Sequence, residues 1–173
     1  MIELERTYLA KRLPEGLSDA PSKEMLDIYL PVIARHPVLR LRKNGDRYEM
    51  TKKTQLTEAD SSRMEEQTIR LSEEEYAALS SVPGKRVGKV RYRYGYEWLT
   101  AEVDVFTGAL EGLVLVDFEF ETEAEKDTFP MPDFCLVEVT QEEFIAGGFL
   151  AGKTYDDIAP GLTRFGYTRL PGL

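Results

Sequence analysis

A single cysteine, Cys135, stands in 173 residues, so no disulfide can form within the chain. A fold held by covalent staples is excluded, and the usage suits a reducing compartment. Histidine is equally scarce. His36 is the only one, it precedes Pro37, and no second histidine or cysteine lies near it, so a zinc site is not expected. No apolar run is long enough to span a bilayer, and the first residues lack the basic-then-apolar pattern of a leader. These absences point to a cytoplasmic protein with no membrane partner. Positive charge is also in deficit, with 22 Lys and Arg against 31 Asp and Glu and a net charge of −9. General binding to nucleic acid is not expected of such a chain. Internal repeats and low-complexity linkers are missing too, which leaves one domain over 1–173. Hydrophobic residues make up 42% of it, enough for a real core and too many for a disordered chain.

What the chain does have is alternation at period two, the mark of strands. It runs through IELERTYL (2–9), DIYL (27–30), VLRLRK (38–43), RYEMTKK (47–53), RMEEQTIRL (63–71), KVRYRYGY (89–96), TAEVDVF (100–106), GLVLVDFEFE (112–121) and FCLVEVT (134–140). Asn44-Gly45 between two of these predicts a hairpin, because both residues tolerate positive φ. Helices are fewer. Ser72 with Glu75, Thr122 with Glu125 and Thr140 with Glu143 have the spacing of capping boxes, and a last helix is expected after Thr154, disturbed at Pro160-Gly161. Many antiparallel strands with a few amphipathic helices predict an α+β barrel or curved sheet.

Within the strands one parity is apolar and the other charged, and the charges sort by sign. Glu3/Glu5, Glu102/Asp104 and Asp117/Glu119 are acidic pairs, with Glu138 in a final acidic strand; Arg40/Arg42 and Lys89/Arg91 are basic pairs. For any one strand, the simple reading is an ordinary barrel with its charges in water. A solvated face normally mixes signs, however, since like charges side by side repel. The alternate positions are large and apolar, as in Val116, Phe118 and Phe120. Helices covering that side from outside would turn the charged side inward, into a polar tunnel. Acid clusters suit magnesium or manganese, and arginines and lysines suit phosphate oxygens. A lumen lined by both should hold a metal–polyphosphate complex.

In order along the chain, Glu3-Leu4-Glu5, Tyr29-Leu30, Arg40-Leu41-Arg42, Thr51-Lys52-Lys53, Arg63-Met64-Glu65, Lys89-Val90-Arg91, Glu102-Val103-Asp104, Asp117-Phe118-Glu119 and Glu138-Val139-Thr140 resemble the motifs of the CYTH superfamily, or triphosphate tunnel metalloenzymes. The resemblance covers nearly the whole chain. It implies an eight-stranded antiparallel β-barrel tunnel with a charged lumen and helices packed outside, binding a small-molecule triphosphate with Mg2+ or Mn2+. Family members hydrolyse inorganic triphosphate, thiamine triphosphate, nucleoside triphosphates or RNA 5′-triphosphates, and a minority are adenylate cyclases. By this analogy Glu3, Glu5 and Glu138 are metal ligands, joined by Asp117 and Glu119 at a second metal. Arg40, Arg42, Lys53, Arg63, Lys89 and Arg91 bind phosphate. Tyr29 and Glu65 serve the catalytic step. A homodimer is compatible with the resemblance.

The expected activity is metal-dependent hydrolysis of inorganic tripolyphosphate or a small organic triphosphate. Two alternatives stand beside it: a cyclase making cyclic AMP from ATP, and a polyphosphate- or nucleotide-binding protein without turnover. The second arises because Thr7 stands where the family motif has a lysine; separately, Gln67 stands where it has a glutamate, which bears on the second metal site. An Ala146-Gly147-Gly148 stretch replaces the polar segment that usually follows the last strand, so the tunnel mouth there is expected to be built differently.

Overall fold

The computed structural model describes residues 2–57 and 60–172. The described residues form nine strands: β1 (Ile2–Ala10), β2 (Ser22–Leu30), β3 (Leu39–Asn44), β4 (Arg47–Thr57), β5 (Asp60–Leu71), β6 (Lys85–Tyr96), β7 (Leu99–Phe106), β8 (Val114–Phe120) and β9 (Cys135–Glu138). They follow the spatial order β5-β4-β3-β2-β6-β7-β8-β1-β9, and a further β5–β1 pairing closes the first eight into a barrel. All pairings are antiparallel. Strand β1 shares one edge between two partners. Residues 2–4 pair with β5 and residues 8–10 with β9, which therefore lies outside the closed ring.

The turn at Gly45 has φ of 61°, which glycine adopts freely, and it joins β3 to β4 as the Asn-Gly pair predicts. Helices α1 (Glu73–Ser80) and α2 (Glu123–Thr128) start at the predicted capping boxes of Ser72 and Thr122. Around Thr140 the expectation fails. Its hydroxyl bonds Glu138 and accepts the Thr7 backbone N–H, and residues 143–145 form a single 3-10 turn. The short α3 (Gly147–Leu150) and α4 (Tyr155–Thr163) follow. Helix α4 runs through Pro160 without interruption, from a capping box made by Thr154 and Asp157. The proline lies on the exposed side, where the missing N–H leaves a carbonyl open to water.

Three apolar clusters hold the barrel, the smallest packing Tyr76 of α1 on Ile28 and Leu41. Outside, Tyr8, Val103, Val116, Phe118 and Phe120 pack under Phe129 and Phe134, with the aromatic rings mostly edge to face. At one end, Leu9, Phe106 and Leu115 meet Ile145, Leu150, Tyr155, Ile158 and Leu162 from the C-terminal helices. The chain thus buries its apolar parity outward and stoppers one end of the tunnel. The charged parity is left facing the lumen.

Candidate active site

Residues directly opposite on neighbouring strands share a face. The register places Glu3 opposite Met64, Lys53 opposite Glu66, Asp27 opposite Arg42, Tyr29 opposite Arg40, Arg91 opposite Asp104, Glu102 opposite Asp117, and Thr7 opposite Asp117. These side chains border a cavity of about 940 Å³ inside the barrel, Asp27 standing just behind its wall. Among the described residues lining it, ten are Asp or Glu and six are Lys or Arg, so a polyanion entering alone would meet a wall of its own sign.

The interior divides into two zones. In the first, each cation is gripped by a carboxylate. Arg42 donates from Nε and Nη2 to the two oxygens of Asp27, both at 2.7 Å, and the pair is almost wholly buried. Arg91 donates to both oxygens of Asp104 at 2.6 and 2.7 Å and also to Glu102; Lys89 shares Asp104. Burial alone would raise the Asp104 pKa, yet Arg91 and Lys89 outweigh it and hold the carboxyl well below the usual range. Asp27 is likewise held down, by the hydrogen bonds and charge of Arg42 against its own burial.

In the second zone three carboxylates converge on one ammonium. Lys53 Nζ lies 2.5 Å from Glu3, 3.5 Å from Glu5 and 3.5 Å from Glu66. Burial would lower its pKa, but Glu5 and Glu3 raise it well above normal. Glu5 itself is pushed up to about 6, first by desolvation and then by Asp117, Glu3 and Glu119, against the pull of Lys53. Desolvation raises Asp117 and Glu119 as well. Between the zones, Thr7 Oγ1 donates to Asp117 at 2.7 Å, and Arg91 approaches Asp117 to 3.5 Å.

The structure brings together Glu3, Glu5, Tyr29, Arg40, Arg42, Lys53, Lys89, Arg91, Asp117 and Glu119 around this cavity. It does not bring Arg63, Glu65 or Glu138 there. The pairing of Glu3 with Met64 gives β5 a lumen face of Met64, Glu66 and Thr68, so Arg63 and Glu65 face out, and Arg63 pairs with Glu123 at 3.0 Å. Glu138 stands opposite Tyr8, on the outer face, 3.5 Å from Arg6. Glu66 lines the cavity, and Glu65 and Gln67 do not. Asp27 escaped the sequence reading because it forms no like-charge pair. A lone Asp between Leu26 and Ile28, on the parity of Tyr29, was the available signal.

The closed mouth depends on glycine. A Cβ on Gly147 would overlap the Tyr29 hydroxyl, and one on Gly148 would overlap the Pro37 carbonyl and the His36 ring. The Ala146-Gly147-Gly148 stretch therefore lets α3 lie directly against β2 and the loop after it.

Hard carboxylate oxygens are the right donors for a divalent cation. Among the described residues no three such groups are gathered as a ready-made metal site. Glu3, Glu5 and Glu66 are instead drawn to Lys53, a cation already seated among them, which shows that the cluster suits positive charge.

No family model matches the chain. It is 34% identical over 146 residues to the inorganic triphosphatase of Nitrosomonas europaea, covering 83% of this chain and 92% of that protein. The crystal structure of the inorganic triphosphatase NE1496 superposes with a TM-score of 0.63 at 28% identity, over 87% of this chain and 95% of that one. The PH1012 protein of Pyrococcus horikoshii shares the fold, with a TM-score of 0.52 at 17% identity over 96% and 91% of the two chains. With the motifs on successive strands of a closed, charged barrel, the chain belongs to the CYTH superfamily of triphosphate tunnel metalloenzymes.

Proposed function

We propose that this protein hydrolyses inorganic triphosphate in its tunnel, with Mg2+ or Mn2+ as cofactor. The observation that carries the proposal is the lumen itself, a closed barrel whose interior sets arginines and lysines against a larger number of carboxylates. Similarity to an inorganic triphosphatase supports the same substrate. Arg40, Arg42, Lys89 and Arg91 would hold phosphate oxygens, the arginines through two-pronged contacts that match a phosphate edge. Glu3, Glu5 and Glu66 would hold one metal, with Asp117 and Glu119 on the adjoining wall. A bound Mg2+ or Mn2+ supplies charge neutralisation and polarisation of the phosphoryl group. The residues' own share is positioning: the strands fix the clamps before substrate arrives, so little reorganisation accompanies the reaction. Tyr29, beside Arg40 at the closed end, would orient the terminal phosphoryl group. The single free cysteine, Cys135, supports a cytoplasmic setting.

Phosphate release from tripolyphosphate, ATP and thiamine triphosphate, with Mg2+ or Mn2+ and then with excess EDTA, tests this reading. Tripolyphosphate should be turned over fastest, and EDTA should abolish release. Turnover that persists in EDTA, cyclic AMP as the main product from ATP, or no turnover of tripolyphosphate would each overturn it.

A further inference from the structure

Lys53 reaches further than its neighbours. It projects from β4, lies opposite Glu66 on β5, and extends past that strand to Glu3 and Glu5 on β1. One ammonium thus serves three carboxylates from two strands, within 2.5 to 3.5 Å. Beside it, Arg40 carries a buried Nε with no hydrogen-bond partner. Arg40 sits opposite Thr51, two residues before Lys53 on the same face.

We infer that Lys53 is an internal counter-cation that competes with the divalent metal for Glu3, Glu5 and Glu66. The inference rests on the proposed metal-dependent function and adds a coupling to it. While the ammonium sits among the three carboxylates, a divalent ion can reach them only by displacing it. An unbranched lysine stem with a compact charge is suited to such a move. The displaced ammonium has a destination. A phosphate oxygen arriving beside Arg40 would satisfy the unpartnered Nε and draw Lys53 off the carboxylates. Metal entry frees Lys53 for phosphate, and phosphate binding frees the carboxylates for metal. By linkage the two ligands then favour each other to the same degree. The tunnel is kept from loading either one alone.

The test is Mn2+ binding in the absence of any phosphate, followed by electron paramagnetic resonance and by the Mn2+-dependent rise in melting temperature. Lys53→Met removes the competitor, and Lys53→Arg keeps a cation in place. Lys53→Met should bind Mn2+ about tenfold tighter or more than wild type, given the strength of a close charge pair away from bulk water. Its melting temperature should rise more steeply with Mn2+. Lys53→Arg should stay near wild type. Equal or weaker Mn2+ binding by Lys53→Met, or a variant that no Mn2+ concentration folds, overturns the inference. Failure of the wild type to bind Mn2+ at all would instead overturn the metal-dependent function on which it rests.

Discussion

Replacing Asp27 with Asn removes one negative charge from the barrel interior while keeping the side-chain volume. Asp27 is 2% exposed and Arg42 is 7% exposed, and the two meet through a pair of 2.7 Å hydrogen bonds. Asparagine can accept at only one oxygen and would turn an amide N–H₂ toward a guanidinium N–H. The guanidinium would be left buried without its counter-charge. Breaking a buried ion pair from one side costs about 3–5 kcal/mol. For a chain of this length each kcal/mol moves the melting temperature by about 2–4 °C, so a fall of roughly 6–20 °C is expected. The assay is urea and thermal unfolding of the metal-free protein. Two comparisons sharpen it. Inorganic tripolyphosphate with Mg2+ should narrow the gap between variant and wild type, because the ligand offers Arg42 another anion. Asp27→Leu combined with Arg42→Met should recover most of the stability, because an apolar pair of similar volume replaces both charges. A loss below about 1 kcal/mol in Asp27→Asn, within the range of an exposed pair, would refute the reasoning and mean that Arg42 does not depend on Asp27.

Stability should also depend on pH through Glu5. Its carboxyl titrates near 4.5 when unfolded and is pushed up to about 6 in the barrel, so the folded state holds the extra proton between those values. Metal-free stability is therefore expected to fall as pH rises through that window, by about 2 kcal/mol, and urea titrations should show a shallower slope in Glu5→Gln; an unchanged slope would remove Glu5 as the cause. Asp27 and Asp104 act in the opposite sense, since their pKa values are depressed and their contribution is lost as pH drops below the ordinary carboxylate range. Gly147→Ala should force α3 away from the Tyr29 hydroxyl, with a loss of about 1–3 kcal/mol as in other overpacked sites. Adding Tyr29→Phe should return part of it, and a Gly147→Ala variant that melts like wild type would contradict the tight seal at this mouth.

The barrel was legible because its two faces obey one rule on most strands. In VDFEFE (116–121) the apolar and acidic residues alternate cleanly, and Asp117 and Glu119 do point inward. Strand β5 defeats that rule. RMEEQTIRL carries charge on both parities, with Glu65 and Glu66 adjacent, so periodicity cannot say which one faces the lumen. The pairing of Glu3 with Met64 decides it, and that is a long-range fact. Glu138 was hidden for a related reason. Strand β9 lies beyond the closed ring, so an acidic residue on it does not inherit the lumen parity. The stopper at the closed mouth was visible only as a change in composition, because close approach of α3 to Tyr29 depends on backbone placement that no local pattern encodes.

Thr7 ties these zones together. It lies opposite Asp117, at the boundary between the ion-paired arginines and the acid cluster around Lys53. A lysine here, as in the family pattern, would place a positive charge on β1's lumen face, directly opposite Asp117. Thr7 gives Asp117 a hydrogen bond and no charge. Desolvation carries the Asp117 pKa upward, against the pull of Arg91 at 3.5 Å and of Lys89. The boundary is therefore more acidic than the family pattern would make it. Positive charge to balance it must arrive with the ligand, since Lys53 is already committed to Glu3, Glu5 and Glu66. Under the proposed function, threonine at position 7 would shift part of the tunnel's cationic role from the chain to a divalent ion, and triphosphate binding would depend on metal more heavily than in a lysine-bearing tunnel.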